Sequence, residues 1–169
     1  MTAIAIWCNH EVRENPGLWI AADSRVSTSL GPALIDDAAK VFALPVVCRS
    51  PGENGLMTEV YYDHTYGYCF AGDTLLGQNS YLALVPLLSN LVSSTSYIPS
   101  LAEVARYMHS WLRLTFDSCK GSRFERSLFE VALFGHCRTT DQLSAFHFMP
   151  KDVNGVVEIA CKPHENMQE

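Results

Sequence analysis

Strand-forming segments occupy both ends of this chain, and helix-forming segments lie only between them. Up to Gly72 nearly every apolar run is short, rich in β-branched and aromatic residues, and bounded by turn residues, which predicts strands. Because strands and helices do not alternate, the sequence predicts an α+β layered domain and not a series of βαβ units. The predicted strands are 3–8, 18–23, 40–48, 57–63, 66–71, 129–137, 143–149 and 156–161.

Both predicted helices begin at capping signals. Asp73 or Thr74 is a suitable N-cap for the apolar segment that follows, and Pro86 should kink or end that helix. Ser100 and Glu103 have the S-x-x-E spacing of a capping box. Apolar residues then recur at helical spacing as far as Thr115, so a second helix is predicted after Ser100.

Composition bounds the class of protein. The 169 residues suit one domain spanning 1–169, and the 48% hydrophobic content predicts a globular protein. A net charge of −6 argues against a nucleic-acid-binding surface. No apolar run approaches the roughly 18 residues of a bilayer span, and the N-terminus lacks a signal-peptide layout, so we predict a cytoplasmic protein. The scattered cysteines and histidines predict no disulfide framework, metal site or cofactor.

Two charged residues stand at the ends of predicted strands. The apolar run LWIAA at 18–22 leads directly into Asp23, and Lys40 heads the strand KVFALPVV. An unpaired buried charge is costly, so a lysine that enters a buried strand needs an acidic partner. We predict that Asp23 is this partner, although such pairs at strand ends are most often structural.

Thr2 and Gly72 complete a candidate site. Methionine is normally removed before a small residue such as Thr2, and the free α-amine can then act as the base for the threonine hydroxyl. An α-amine titrates near ~7.7–8.0, and a nearby cation lowers this value. The segment FAGDT at 70–74 leads through Gly72 to a helix start, where a backbone N–H can face an oxyanion.

The order of these features resembles the proteasome β-subunit family, including the bacterial proteasome-like peptidases, within the N-terminal nucleophile hydrolases. The matching segments are Thr2, IAADSRVST at 20–28, DDAAKVF at 36–42 and FAG at 70–72. The resemblance implies that Thr2 is the nucleophile and its amine the base, with Lys40 lowering the pKa of that amine. It implies that Asp23 orients Lys40 and that Gly72 donates to the oxyanion.

The resemblance also implies substrate contacts, a fold and partners. Ser27, with Val26 and Thr74, would bind the substrate, Ser27 by pairing with an extended peptide. Arg25 would be structural and would bond chain ends or carbonyls near the site. The implied fold is a four-layer αββα sandwich, here without its last C-terminal elements. The implied partners are a peptide or unfolded protein substrate, further copies of the chain in a ring, and an unfolding ATPase.

The sequence departs from the family pattern at three places. The interval from Thr2 to Asp23 is several residues longer than is typical. The interval from Lys40 to Gly72 is much longer and requires an extended strand pair or an insertion. The chain reaches Glu169 without a turn of the G-S-G-S type, which in the family carries a serine near the nucleophile.

Four interpretations therefore stand at this point. The first is a threonine peptidase that requires removal of Met1, since a retained Met1 would bind the amine of Thr2 in a peptide bond. The second is a non-catalytic proteasome-like subunit for assembly or binding. The third is a small-molecule amidohydrolase with the same nucleophile, and the fourth is an α+β domain in which Asp23 and Lys40 form a structural pair.

Overall fold

A computed structural model describes residues 3–9, 17–27, 32–123 and 129–164, with only the backbone given for 33 and 119–123. Within these ranges the longer strands and the two helices follow the predicted order, but the short strands at Val26–Ser27, Ala33–Ile35 and Leu91–Val92 were not predicted, and the last of them lies between the helices. The strands are β1 Ile4–Asn9, β2 Gly17–Ala22, β3 Val26–Ser27, β4 Ala33–Ile35, β5 Val41–Ser50, β6 Glu59–Gly72, β7 Leu91–Val92, β8 Phe129–Cys137, β9 Gln142–Val153 and β10 Val156–His164. The helices are α1 Thr74–Leu88 and α2 Leu101–Arg123.

Six of the described strands form one sheet, called here the main sheet, in the order β10-β9-β8-β6-β5-β7. Neighbouring strands in this sheet are antiparallel, except that β7 runs parallel to β5. The strands β1 and β2 form a separate antiparallel hairpin, and the short strands β3 and β4 form another two-stranded sheet. Most of the described strand residues therefore belong to the main sheet.

One face of the main sheet forms the larger core with α1 and α2. α1 packs mainly against β5, β6 and β8, and α2 packs against β8, β9 and β10. Because side chains alternate along a strand, every second residue of β6 faces the helices, among them Tyr66, Tyr68 and Phe70, each no more than 1% exposed. Leu84 of α1 and Met108 of α2 are fully buried against this face.

The other face of the main sheet is covered by the β1–β2 hairpin. Ile4, Ile6, Leu18 and Ile20 pack there on a smaller cluster that includes the buried Phe134. The outward face of the hairpin carries Trp7 and Trp19, which are 42% and 55% exposed and lie with their ring centroids 6.3 Å apart. The layers are thus helices, main sheet and hairpin.

The predicted four-layer αββα sandwich is therefore wrong. In the described part of the chain both helices pack on the same face of the main sheet, and a helical layer outside the hairpin is missing. The reason lies in strand pairing: β6 pairs with β8 over Gly67–Gly72 and Phe129–Phe134. This pairing joins the strands before and after the helices into one large sheet. In the described part of the chain, strand residues outnumber helical residues.

The helix caps match their predictions. Asp73 caps α1, and its carboxylate accepts from the backbone N–H of Leu76 at 3.0 Å. α1 continues through Pro86 and ends two residues later at Leu88. Ser100 and Glu103 form the capping box of α2, with the Ser100 N–H donating to the Glu103 carboxylate at 2.9 Å. Within the described residues, no helix is both long and apolar enough to cross a membrane.

The long interval between Lys40 and Gly72 is an extended strand pair, one of the two structures predicted for it. β5 and β6 pair from Val41 opposite Cys69 to Ser50 opposite Glu59. The predicted strands 57–63 and 66–71 are one continuous strand, β6. The pair therefore extends the main sheet away from Lys40 and Gly72, which both remain at its base.

Gly77 lies where α1 packs closely on β6. A Cβ at this position would overlap the ring of Phe70, which is buried beneath the helix. We expect Gly77→Ala to destabilise the fold by about 1–3 kcal/mol, although alanine normally favours a helix over glycine. Urea denaturation measures the change. In the control Gly17→Ala, the added Cβ meets no atom within 4 Å, so a shift beyond about 0.5 kcal/mol is not expected. A stabilised Gly77→Ala would contradict the packing.

Candidate active site

Lys40 is buried at the start of β5 and binds two oxygen atoms. Its residue exposure is 3%, which is rare for a lysine. The Nζ atom donates to Oδ1 of Asp23, and it donates to the backbone carbonyl of Arg25 at 2.7 Å. The contact between Lys40 and Asp23 that the sequence predicts is therefore present, whereas the Arg25 carbonyl was not anticipated.

Asp23 is fixed by the first described residue of the chain. It follows β2 directly, and its backbone N–H donates to the Ala3 carbonyl at 3.1 Å. The Ala3 N–H in turn donates to Oδ2 of Asp23 at 3.2 Å. Because one carboxylate oxygen accepts from Ala3 and the other from Lys40, Asp23 links the lysine to the start of β1. Thr2 is the residue next to Ala3.

The contact with Lys40 favours the charged form of Asp23. The hydrogen bond from Lys40 lowers the pKa of Asp23 below its usual value, and the Ala3 N–H adds to this effect, while partial burial opposes it. The side chain of Asp23 is 32% exposed and that of Lys40 is 2% exposed. A cation that is largely removed from water acts more strongly on nearby groups than a solvated one.

The predicted nucleophile, Thr2, lies outside the described residues, as does Met1. The residue after Thr2, Ala3, is described. It directly precedes β1, which begins at Ile4, and its N–H donates to the Asp23 carboxylate. Described residues thus bring the Asp23–Lys40 pair to the beginning of β1.

Gly72 lies at the same end of the main sheet as Lys40. The Phe70 N–H donates to the Lys40 carbonyl at 3.2 Å, and Gly72 follows two residues later as the last residue of β6. Its φ of 91° lies in the left-handed region that favours glycine. This conformation turns the chain from β6 towards the Asp73 cap of α1. The role of Gly72 as an oxyanion donor stays a prediction.

The predicted substrate-binding residues lie on two elements, β3 between Asp23 and Lys40 in the sequence and α1 just after Gly72. Val26 and Ser27 form β3, where Val26 pairs with Ile35 of β4, and Ser27 is exposed. Thr74 is the first residue of α1 and immediately follows the Asp73 cap. Their substrate contacts stay predictions, because the structure gives their positions and no ligand.

The side chain of Arg25 contacts a carboxylate, whereas the resemblance implied bonds to chain ends or carbonyls near the site. Its Nε atom donates to Oδ1 of Asp36 at 2.8 Å, and both side chains are about two-thirds exposed, at 68% and 70%. Nearby, the Ala38 N–H donates to the Ser24 carbonyl at 2.9 Å. These bonds hold the segment after β2 against the segment before Lys40.

Several pairs of titratable side chains escaped sequence reasoning, among them His136 with Asp141 and His147 with Glu130. Nε2 of His147 lies 2.8 Å from Oε2 of Glu130, across the neighbouring strands β8 and β9. Only the register of Ala132 opposite His147 brings the two together, and that register is not visible in the sequence. In the described ranges, no cluster of three or more histidine, cysteine or acidic side chains is arranged to hold a metal ion.

Comparison with protein-family models, with curated proteins and with solved structures finds no match for this chain.

Proposed function

We propose that the protein is a threonine-type hydrolase of peptide bonds, in which Thr2 is the nucleophile once Met1 is removed. The observation that carries the proposal is the link from buried Lys40 through the Asp23 carboxylate to Ala3. The proposal rests on this local geometry and on the resemblance to N-terminal nucleophile hydrolases. It does not rest on the overall fold.

The Asp23–Lys40 pair suits the control of an N-terminal amine. An ammonium beside a free α-amine disfavours the protonated form of that amine, so the pKa of the amine falls and more of it is available as a base. Asp23 fixes the Lys40 ammonium in place through its hydrogen bond.

The proposed reaction begins with attack of the Thr2 hydroxyl oxygen on the carbonyl carbon of the peptide bond. The Thr2 amine takes the hydroxyl proton and then gives a proton to the leaving amine as the C–N bond breaks. The backbone N–H of Gly72 would stabilise the negative oxygen of the intermediate. Water then attacks the resulting ester, which releases the acid and restores the Thr2 hydroxyl.

Substrate and partners follow in the same proposal. An extended peptide would pair with β3 at Ser27, since a strand of a two-stranded sheet has a second edge that can accept hydrogen bonds. Assembly into a ring and docking of an unfolding ATPase rest on the resemblance alone, and the cytoplasmic location rests on the sequence pattern. We include them as parts of the proposal to be tested separately.

The first test is the mass of the mature N-terminus and of its covalent adduct. We expect the purified protein to begin at Thr2 and to gain the full mass of a β-lactone on its N-terminal peptide, because ring opening by the hydroxyl expels no leaving group. Intact-mass and peptide mass spectrometry measure both. Retention of Met1 together with no adduct would contradict the proposal and favour a non-catalytic subunit.

Sizing by light scattering distinguishes the proposed peptidase from the remaining alternative, a small-molecule amidohydrolase. A large ring that forms the adduct supports a peptidase, because an enclosed chamber suits protein substrates. A monomer or dimer that forms the adduct supports a small-molecule amidohydrolase that uses the same nucleophile.

A further inference from the structure

A cavity lies between the β1–β2 hairpin and the main sheet, on the face opposite the helices. Its volume is about 410 Å³, within the range of roughly 300–1,000 Å³ that is usual for small-molecule sites. Ile4 and Ile6 of β1 form one wall. Cys69 and Ala145 of the main sheet, which are 1% and 5% exposed, belong to the opposite wall.

The polar side chains of this cavity lie together on β8, β9 and β10. Glu130, His147 and His164 belong to its lining. In the β9–β10 register, His147 lies opposite Lys162 and Ala145 lies opposite His164. Directly opposed residues of antiparallel strands share a face, so Lys162 projects from the same face as the two histidines.

The charges of this cluster are unequally compensated. The carboxylate of Glu130 is engaged by His147 at 2.8 Å. Lys162 is exposed and forms no salt bridge with any residue in the described part of the chain. Burial, followed by repulsion from Lys162 and His147, lowers the pKa of His164. An anion placed between them would relieve this repulsion.

We propose that this cavity binds a small amphipathic carboxylate, with its aliphatic tail between the hairpin and the main sheet and its carboxylate at Lys162 and His164. Burial of methylene groups against Ile4, Ile6 and Ala145 favours the tail. A lysine ammonium and an imidazole N–H suit the head, because hydrogen bonds to a carboxylate are strengthened by charge. The proposal does not depend on the proposed hydrolysis, because the lining of the cavity does not include Asp23, Lys40 or Gly72.

The test is isothermal titration calorimetry with octanoate and with 1-octanol, which has the same tail length and no charge. Lys162→Met keeps an apolar chain of similar length opposite His147 and removes the ammonium. We expect this variant to bind octanoate about tenfold more weakly and to bind octanol within about twofold of the wild type. Lys151→Met is the matched control, because Lys151 is also exposed and lies towards the other end of the β9–β10 pair, opposite Glu158.

A second variant tests whether the aliphatic tail of the ligand binds in the cavity. Ala145→Leu fills the cavity from the main sheet and should abolish binding of both ligands, with thermal melting used to confirm that it folds. N-acetylleucine, titrated in parallel, distinguishes an aliphatic acid from the C-terminus of an apolar peptide as the source of the carboxylate. Failure of the wild type to bind either carboxylate, or equal losses in Lys162→Met and Lys151→Met, would overturn the proposal.

Discussion

Thr2→Ala should reduce peptide hydrolysis by at least about 10³-fold, since loss of a nucleophile removes the covalent route altogether. A panel of fluorogenic peptides measures the activity, and the β-lactone adduct on the N-terminal peptide should disappear with it. Thermal stability should stay nearly unchanged, because the contacts that hold Asp23 at this end of β1 come from the backbone of Ala3 and from Lys40.

Thr2→Ser is the matched control for this substitution. It keeps a hydroxyl and an α-amine on the same residue, so it should retain both measurable hydrolysis and the adduct. Full activity in Thr2→Ala would show that the reaction depends on another group. That result would exclude the proposed mechanism while leaving the Asp23–Lys40 contact as a structural pair.

Lys40→Met has the second largest expected effect, a loss of about 10²-fold or more in hydrolysis. Without the ammonium, the pKa of the Thr2 amine is expected to return towards ~7.7–8.0, so less of it is a free base at neutral pH. The loss of a charged hydrogen-bonded partner should also cost about 1–2 kcal/mol of stability, a modest figure because Asp23 remains 32% exposed. Activity assays and urea denaturation measure the two effects.

The pH profile separates tuning of the amine from a purely structural role of Lys40. The acidic limb of the rate profile should move to higher pH in Lys40→Met, whereas a structural role predicts lower activity with the limb unmoved. Arg25→Gln is the control, because it removes an ion pair whose side chains are 68% and 70% exposed. Such pairs contribute under about 1 kcal/mol, so stability and the pH profile should both stay close to the wild type.

Much of the local structure was predictable, since it depends on neighbouring residues. The Ser100–Glu103 capping box, the Asp73 cap and the main strand segments follow from short patterns. The contact between Asp23 and Lys40 was predictable for a different reason. A lysine at the head of a buried strand needs an acid, and Asp23 follows another strand in the first part of the chain.

The arrangement of layers was not predictable, because it depends on which distant strands pair. Sequence patterns identify β6 and β8 as strands, but they do not show that Gly67 lies opposite Phe134 in one sheet. The Glu130–His147 pair was missed for the same reason. The Arg25 carbonyl was missed because a backbone acceptor leaves no trace in residue identity.

The order of strands in the main sheet also bears on how the chain folds. β5 and β6 are joined by a short connection, and so are β8, β9 and β10, so each group can form early, on a timescale of about 1–10 μs for a hairpin. The pairing of Gly72 with Phe129 must instead close a loop that contains α1 and α2. Because loop closure costs entropy before distant contacts compensate for it, we expect the meeting of β6 and β8 to limit the folding rate.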